Sequence, residues 1–349
     1  MSLNQYNFVQ EDLKNLFSSN KPTELETLKN KSICITGGAG FVGTWISNLI
    51  HFLNENHKFQ TKVTIIDRDI EKIQKSSPHL LNSSFFEFKR TDTRYLVELP
   101  RETNFVIHAA GSPDTREHLS HPIDIMTTIS NGTEAVLRAS ERLSDLRMFL
   151  NLSSSLVYGS FSDVNKKTKE TDNYLASSSS RFYSEAKKFS EALTDASRQQ
   201  FRIPVVTMRP FGFMGPFQSL SGPWALNNFI NDAINGQTIK ILGDGTTVRS
   251  LIYGSDAAFW ILKTLINAES GSVYNLGSPE EVTVKELANK VQVNLKINKE
   301  ILFYAGSAAT RKTSFMVPDT DLVQKTFNLK LTVPLDTAIK RTIEWYGLN

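Results

Sequence analysis

Thr36-Gly37-Gly38-Ala39-Gly40-Phe41-Val42-Gly43 is the stretch that decides the fold. It follows the apolar run Ser32-Ile33-Cys34-Ile35 and leads into Thr44-Trp45-Ile46-Ser47-Asn48-Leu49-Ile50, whose apolar spacing suits a helix. Strand, tight glycine turn and helix together form the context in which closely spaced glycines receive a dinucleotide. Gly38 is expected to take the backbone angles of the sharp turn. Gly40 is expected to let the main chain approach a pyrophosphate, and Gly43 to let the helix lie tightly on the strand. The N–H groups at the helix start favour an anion, so Gly37, Gly40, Phe41, Val42 and Gly43 are the candidate cofactor residues of this segment. The next strand, Lys62-Val63-Thr64-Ile65-Ile66-Asp67, ends in an acid 24 residues after Gly43. A carboxylate there is placed for the ribose hydroxyls of an adenosine, and it favours NAD by repelling the 2′-phosphate of NADP. Arg68 beside it could bind that phosphate, so NADP stays open.

Outward from this turn, strand and helix alternate. Strands are expected at 32–36, 62–67, 84–89, 104–109, 147–153 and 204–209, and helices at 41–54, 69–76, 122–143 and 181–200. This rhythm predicts an α/β protein with a Rossmann-type, doubly wound parallel sheet, its ligands outside the carboxyl ends of the strands. Thr91-Asp92-Thr93 follows the third strand, placed to meet an adenine edge. Asp92 reads equally well as a capping or turn carboxylate. His108-Ala109-Ala110-Gly111-Ser112 follows the fourth, with small residues that would let a dinucleotide lie close to the backbone. Before the first strand, Phe8, Val9, Leu13, Leu16 and Phe17 predict an amphipathic helix over Asn7–Phe17, broken at Lys21-Pro22. Beyond residue 210 the elements shorten between Gly212, Gly215-Pro216, Gly222-Pro223, Gly236, Gly243 and Gly245. Helices are expected at 223–235, 255–268, 283–294 and 335–346, with strands near 239–242, 250–253, 272–276 and 300–304. The division expected is a helical extension over 1–30, an NAD-binding domain over 31–210, and mainly a smaller α/β substrate-binding lobe over 211–349, with the return of some of its segments to the first sheet left open.

Composition narrows the class. The 349 residues are 40% hydrophobic and 21% charged, as in an ordinary globular protein. Thirty-nine basic against 36 acidic residues leave a net charge of +3, too small to attract nucleic acid or an anionic membrane. The single cysteine, Cys34, lies in the first strand and reads as core packing in a reducing compartment. With no charged-then-apolar leader and no run of about 18 apolar residues, a soluble cytoplasmic protein is expected. His118 and His121 have no evident third ligand nearby, so no metal site is expected.

Two features past the glycine turn carry the chemistry. In Tyr183-Ser184-Glu185-Ala186-Lys187 a phenol and an ammonium share one helix face. A free phenol near pKa 10 is a poor base, and a neighbouring cation is expected to lower it toward the working range. Lys187 is also expected to hold the nicotinamide ribose. Asn151-Leu152-Ser153-Ser154-Ser155-Leu156-Val157-Tyr158-Gly159 ends the fifth strand, where a serine hydroxyl can bond the oxygen being oxidised and relay its proton to Tyr183.

Taken in order, Thr36–Gly43, Asp67, Asp92, His108–Ala110, Ser153–Gly159, Tyr183/Lys187, Arg209-Pro210 and Gly243-Asp244-Gly245 with Arg249 resemble the extended short-chain dehydrogenase/reductases, in the NAD-dependent sugar epimerase/dehydratase branch. The resemblance implies Ser154 as the catalytic hydroxyl beside Tyr183 and Lys187, with Ser155 the near alternative. It implies cofactor contacts from Asp67, Arg68, Asp92, Thr93, His108, Ala109, Ala110 and Pro210, and substrate contacts from Ser154, Ser155, Phe211 and Gly212. Arg249 would grip a nucleotide diphosphate, Arg311 being a second such arginine. Two positions depart from the pattern: Gly212 and Ile129 stand where relatives commonly carry Asn. The implied dimer forms through the helices near 122–143 and 181–200.

The implied reaction is hydride exchange at a sugar carbon, usually C4, of a nucleotide-diphosphate sugar. Dehydratases of the branch add an Asp-Glu pair at the positions of Ser155 and Leu156, and decarboxylases a Glu in place of Leu156. Neither acid is present. A 4-epimerase or a 4-keto-sugar reductase needs only the Ser/Tyr/Lys set, and the 4-epimerase is the reading favoured. A catalytically silent NAD-binding sensor or scaffold has no use for that set. A steroid, flavonoid or acyl-thioester substrate has no use for Arg249.

Overall fold

A computed structural model describes residues 1–161, 165–174, 181–304 and 314–347. In chain order the first half contains α1 (Leu3–Ser19), β1 (Ser32–Thr36), α2 (Phe41–His57), β2 (Lys62–Asp67), α3 (Ile70–Ser76) and β3 (Phe86–Arg90). It continues through β4 (Phe105–His108), α4 (Thr115–Ser120), α5 (Pro122–Ser140), β5 (Met148–Leu152), α6 (Arg181–Gln200) and β6 (Val205–Pro210). The strands β1, β4 and β5 are buried along their whole length, as apolar runs covered on both faces by helices must be. All pairings in the central sheet are parallel, in the order β3-β2-β1-β4-β5-β6 followed by a seventh strand from the C-terminal region. The chain reverses its direction of winding between β1 and β4, where Thr36 lies level with His108. That seam opens the crevice in which such sheets bind ligands.

The second half is built from short pieces: β7 (Gly212–Met214), α7 (Ala225–Ile234), β8 (Lys240–Leu242), β9 (Val248–Arg249), β10 (Leu251–Tyr253) and α8 (Gly254–Asn267). There follow β11 (Ser272–Leu276), β12 (Val282–Thr283), α9 (Val284–Leu295), β13 (Leu302–Tyr304), β14 (Phe315–Met316), α10 (Asp321–Phe327) and α11 (Leu335–Tyr346). The strand β11 is the seventh member of the central sheet, with Ser272 beside Val206 and Leu276 beside Pro210. The others form small ribbons, β7 with β10, β8 with β13, and β9 between β12 and β14. A seam between α2 and α8 ties the halves together. A Cβ on Gly254 would fall on the Trp45 ring, and Trp45 donates to the Pro216 carbonyl at 3.2 Å.

The N-terminal helix is longer than its apolar spacing predicts. Ser2 and Gln5 form a reciprocal capping pair that starts α1 at Leu3. After Lys21-Pro22 the chain continues as a 3-10 helix over Pro22–Leu28, with Leu25 and Leu28 buried. Asp12 of α1 is almost fully buried; it accepts from the Tyr253 hydroxyl at 2.7 Å and from Arg341 Nε at 2.8 Å. The extension is therefore stapled to both β10 and α11. No helix among the described residues is long and apolar enough to cross a membrane.

Candidate active site

At the glycine turn the work is shared differently from the sequence expectation. The left-handed backbone angle belongs to Gly37, at φ +72°, and not to Gly38. A Cβ on Gly37 would sit 2.7 Å from the backbone of Ala109 and Ala110, so the loops after β1 and β4 touch there. Gly38 and Gly43 need each other, since a Cβ on Gly43 would lie 2.5 Å from the Gly38 Cα. The helix thus packs on the turn itself. A Cβ on Gly40 would meet only the Gly37 carbonyl, leaving space for a ligand on that side. Gly40 caps α2 without a side chain, which leaves the first-turn N–H groups of Phe41, Val42 and Gly43 suited to an anion.

Asp67 accepts from Ala39 N–H at 3.1 Å and from Asp69 N–H at 3.0 Å, fixing its carboxylate at the tip of β2. Each carboxylate oxygen retains a further lone pair for a ribose hydroxyl. These features fit the pyrophosphate and adenosine ribose of NAD. Asp92 is a cap, as its alternative reading had it: it accepts from Arg94 N–H at 2.9 Å and holds the Arg94 guanidinium. Thr93 is buried against Gly132, which lets α5 approach closely.

His108 reaches the crevice only through its backbone. Its Nδ1 lies 2.7 Å from Thr36 Oγ1 and its Nε2 lies 3.0 Å from Thr133 Oγ1. Thr133 donates its own proton to the Ile129 carbonyl, so Nε2 carries the imidazole hydrogen and Nδ1 accepts from Thr36. Burial pushes this histidine down to about 3, with Lys187 adding to the effect. Beyond Thr133 the network continues to Ser190 at 3.0 Å and on to Asn151. A polar staple therefore joins β1, β4, β5, α5 and α6 beneath the crevice.

Tyr183, Lys187 and Ser154 converge above that staple. Ser154 is the N-cap of a 3-10 turn over Ser155–Tyr158 and accepts from Leu156 N–H at 3.1 Å. Its hydroxyl lies beside Tyr183 and favours the phenolate. The neighbouring Ser184 donates to the Leu156 carbonyl at 2.7 Å, so α6 grips the same turn one residue beyond the phenol. Lys187 donates to the Leu152 carbonyl at 2.8 Å and stands 5.9 Å from the centre of the Tyr183 ring. The expected lowering of the phenol pKa is not what the protein's own groups produce. Burial pushes Tyr183 up to about 12, opposed by the Ser154 hydroxyl, and pushes Lys187 down to about 8, opposed by Glu191. Desolvation outweighs the nearby charge because both groups are enclosed.

Ile129, in place of the usual Asn, packs with Ile125, Tyr183 and Ala186, so apolar contact braces the tyrosine. One neighbour of Tyr183 escaped sequence reading: His118 lies flat on its ring, with centroids 4.1 Å apart and planes 14° from parallel. Stacking between two distant segments leaves no local spacing signal, and His118 had been weighed only as a metal ligand.

On the substrate side, Ser155 faces Met316 and Phe211 is buried with Val157, Tyr158 and Phe161. Pro210 ends β6 beside Leu276. Gly212 has a steric reason to lack a side chain, because a Cβ would run into the Ser250 carbonyl across the β7–β10 pairing. Arg249 lies in β9, held through Nη1 by the carbonyl oxygens of Val248 and Ser314 at 2.9 and 3.3 Å. Burial pushes its guanidinium down to about 10, and among the described residues no ion pair is formed by it. It remains a cation at neutral pH, half-buried and with no carboxylate partner among the described residues, which suits an incoming anion. Arg311, the second candidate arginine, lies outside the described residues.

Comparison with known proteins agrees with this geometry. The chain is 26% identical over 317 residues to the UDP-glucuronic acid decarboxylase 1 of Xenopus tropicalis, covering 90% of this chain and 72% of that protein. Among solved structures, the UDP-N-acetylglucosamine 4-epimerase of Methanobrevibacter ruminantium superposes with a TM-score of 0.78 at 20% identity, covering 91% of this chain and 99% of that one. The dTDP-glucose 4,6-dehydratase of Streptomyces venezuelae, solved with NAD bound, gives 0.79 at 19% identity, covering 91% and 97%. These three proteins are named for three different reactions, so likeness alone does not choose among them. The sequence model of the NAD dependent epimerase/dehydratase family matches residues 33–277, and the chain belongs to that family.

Proposed function

We propose that this protein is an NAD-dependent 4-epimerase of a nucleotide-diphosphate sugar. The observation that carries the reading is the enclosed Ser154–Tyr183–Lys187 set beside a turn bearing Ser155 and Leu156, neither of which is an acid. Tyr183 would accept the proton of the sugar C4 hydroxyl at its phenolic oxygen. Ser154, fixed by the Leu156 N–H and set beside the phenol, would hold the substrate oxygen in line. Lys187 would keep positive charge beside the phenolate as it forms. Bound NAD supplies the hydride acceptor and a nearby positive charge. With the hydride restored to the opposite face of the 4-keto sugar, Tyr183 would give its proton back to the C4 oxygen, and the sugar would be inverted with no net redox change.

Elimination of water or loss of CO2 calls for a further carboxyl group, and leucine can neither give nor take a proton. That argues against the reaction named in the decarboxylase relative. Arg249, half-buried and without a carboxylate partner among the described residues, supports a diphosphate as the anchor of the substrate. A 4-keto-sugar reductase would use the same three side chains. The discriminating experiment offers UDP-, GDP-, dTDP- and CDP-sugars, with 4-keto forms, and follows products by NMR alongside NADH absorbance. Conversion without net NADH change supports the epimerase; stoichiometric NADH consumption would replace it with the reductase. As part of the same reading we take the working form to be a homodimer through α5 and α6, whose outer faces leave Ile123, Phe182 and Phe189 exposed.

A further inference from the structure

The Tyr183 ring is enclosed on one side by Ile125, Ile129 and Ala186 and on another by the flat face of His118. Aromatic pairs commonly meet edge to face, or offset with wider centroid spacing. At 4.1 Å and 14° the two rings here lie face to face. His118 is itself pinned. Its Nε2 lies 2.8 Å from the Ser112 carbonyl, and since a carbonyl only accepts, Nε2 carries the hydrogen. Ser112 belongs to the loop after β4 that also contains Ala109 and Ala110, so His118 links the cofactor-side loop to the phenol. The remaining Nδ1 is buried with no hydrogen-bond partner among the described residues. Charging the ring would bury a second N–H without an acceptor. The charged groups around it are Asp114 and Glu117 on its own segment, which favour the cation, and Lys187 on α6, which opposes it. Burial is the largest influence and keeps the imidazole neutral. A neutral ring held in one plane acts by shape.

We propose that His118 is a positioning residue for Tyr183: its imidazole, tethered to the Ser112 carbonyl, fixes the plane of the phenol and excludes water from one of its faces. This rests on the reading of Tyr183 as the proton acceptor. A flat ring in place of His118 should serve; an apolar side chain of similar bulk without a flat face should not.

The test compares His118→Phe, His118→Leu and His118→Ala in the full-length, NAD⁺-saturated protein. The first readout needs no substrate: the phenolate titration of Tyr183, taken as the ultraviolet difference between each protein and the same protein carrying Tyr183→Phe. Opening one ring face to water relieves the desolvation that holds the phenol up, so His118→Ala should titrate about one pKa unit lower, while His118→Phe titrates with the parent. The second readout is turnover. His118→Leu and His118→Ala should lose roughly tenfold or more in kcat with KM little changed, and His118→Phe should stay within about threefold. Parental titration in a folded His118→Ala, or equal kcat in the Phe and Leu variants, would overturn the proposal. If His118→Ala fails to fold, the Phe/Leu pair decides alone. Turnover surviving in Tyr183→Phe would sink the functional reading instead, and the titration would still judge His118.

Discussion

Two basic side chains at the site, Arg249 and His108, are held in opposite states, and the difference predicts how each variant behaves. Arg249 keeps its charge although burial weakens it, and its partners among the described residues are neutral oxygens of Val248 and Ser314. Arg249→Ala should therefore weaken binding of the nucleotide sugar by about 1.5–3 kcal/mol, ten- to a hundredfold, as read by calorimetry. NAD affinity should not change, and equal loss of both ligands would refute the assignment. His108 instead stays neutral, its folded value about 3 against 6.5 for the free side chain. Between those values the unfolded chain binds the extra proton, so this contribution to stability is lost as pH falls from about 6.5 toward 3. His108→Gln should flatten the fall in melting temperature between about pH 7 and 4, even if it lowers the whole curve; an unchanged slope would contradict the buried neutral imidazole.

Elements that repeat a strong pattern were legible in the sequence, while those defined by a distant partner were not. The strands Ser32–Thr36, Phe105–His108 and Met148–Leu152 announce themselves as apolar runs because both faces are covered. The switch of the turn angle from Gly38 to Gly37 was hidden, because it is set by how closely the Ala109 backbone approaches. Two- and three-residue strands such as Val248–Arg249 carry no period, and nothing local in Ser272–Leu276 says that it will pair with β6. The same holds for α1. Its apolar stripe predicted a helix, but its anchoring depends on Asp12 meeting Tyr253 and Arg341 from opposite ends of the chain. Asp12→Ala leaves Arg341 with Glu11, Glu344 and the Phe8 carbonyl and ring, and the Tyr253 hydroxyl without its acceptor. Loss of such a buried pair should cost about 3 kcal/mol, measured as a shift of the urea midpoint. A shift near zero would show that the extension is not stapled through this carboxylate.

At the scale of the whole molecule, one crevice lies where the β1 and β4 loops meet, with the tyrosine helix above and the Arg249 ribbon contributed by the second half. The helices that carry Tyr183 and its braces also present the exposed Phe189 and Ile123 outward, so a second copy covering them would stiffen the site. Phe189→Glu should convert a dimer into a monomer by light scattering at micromolar concentration, whereas a wild-type monomer would discard the dimer. The central claim is that Tyr183 moves a proton while hydride leaves and returns at one sugar carbon. Its most direct test is NMR of nucleotide sugars incubated with the NAD-loaded wild type and with Tyr183→Phe, with NADH absorbance recorded throughout. The account predicts a C4 epimer from the wild type at constant NADH absorbance, and roughly a 100-fold or greater loss of that product in the variant with NAD still bound. A variant that turns over as the wild type does, or a wild-type reaction that consumes NADH or releases CO2, would contradict it.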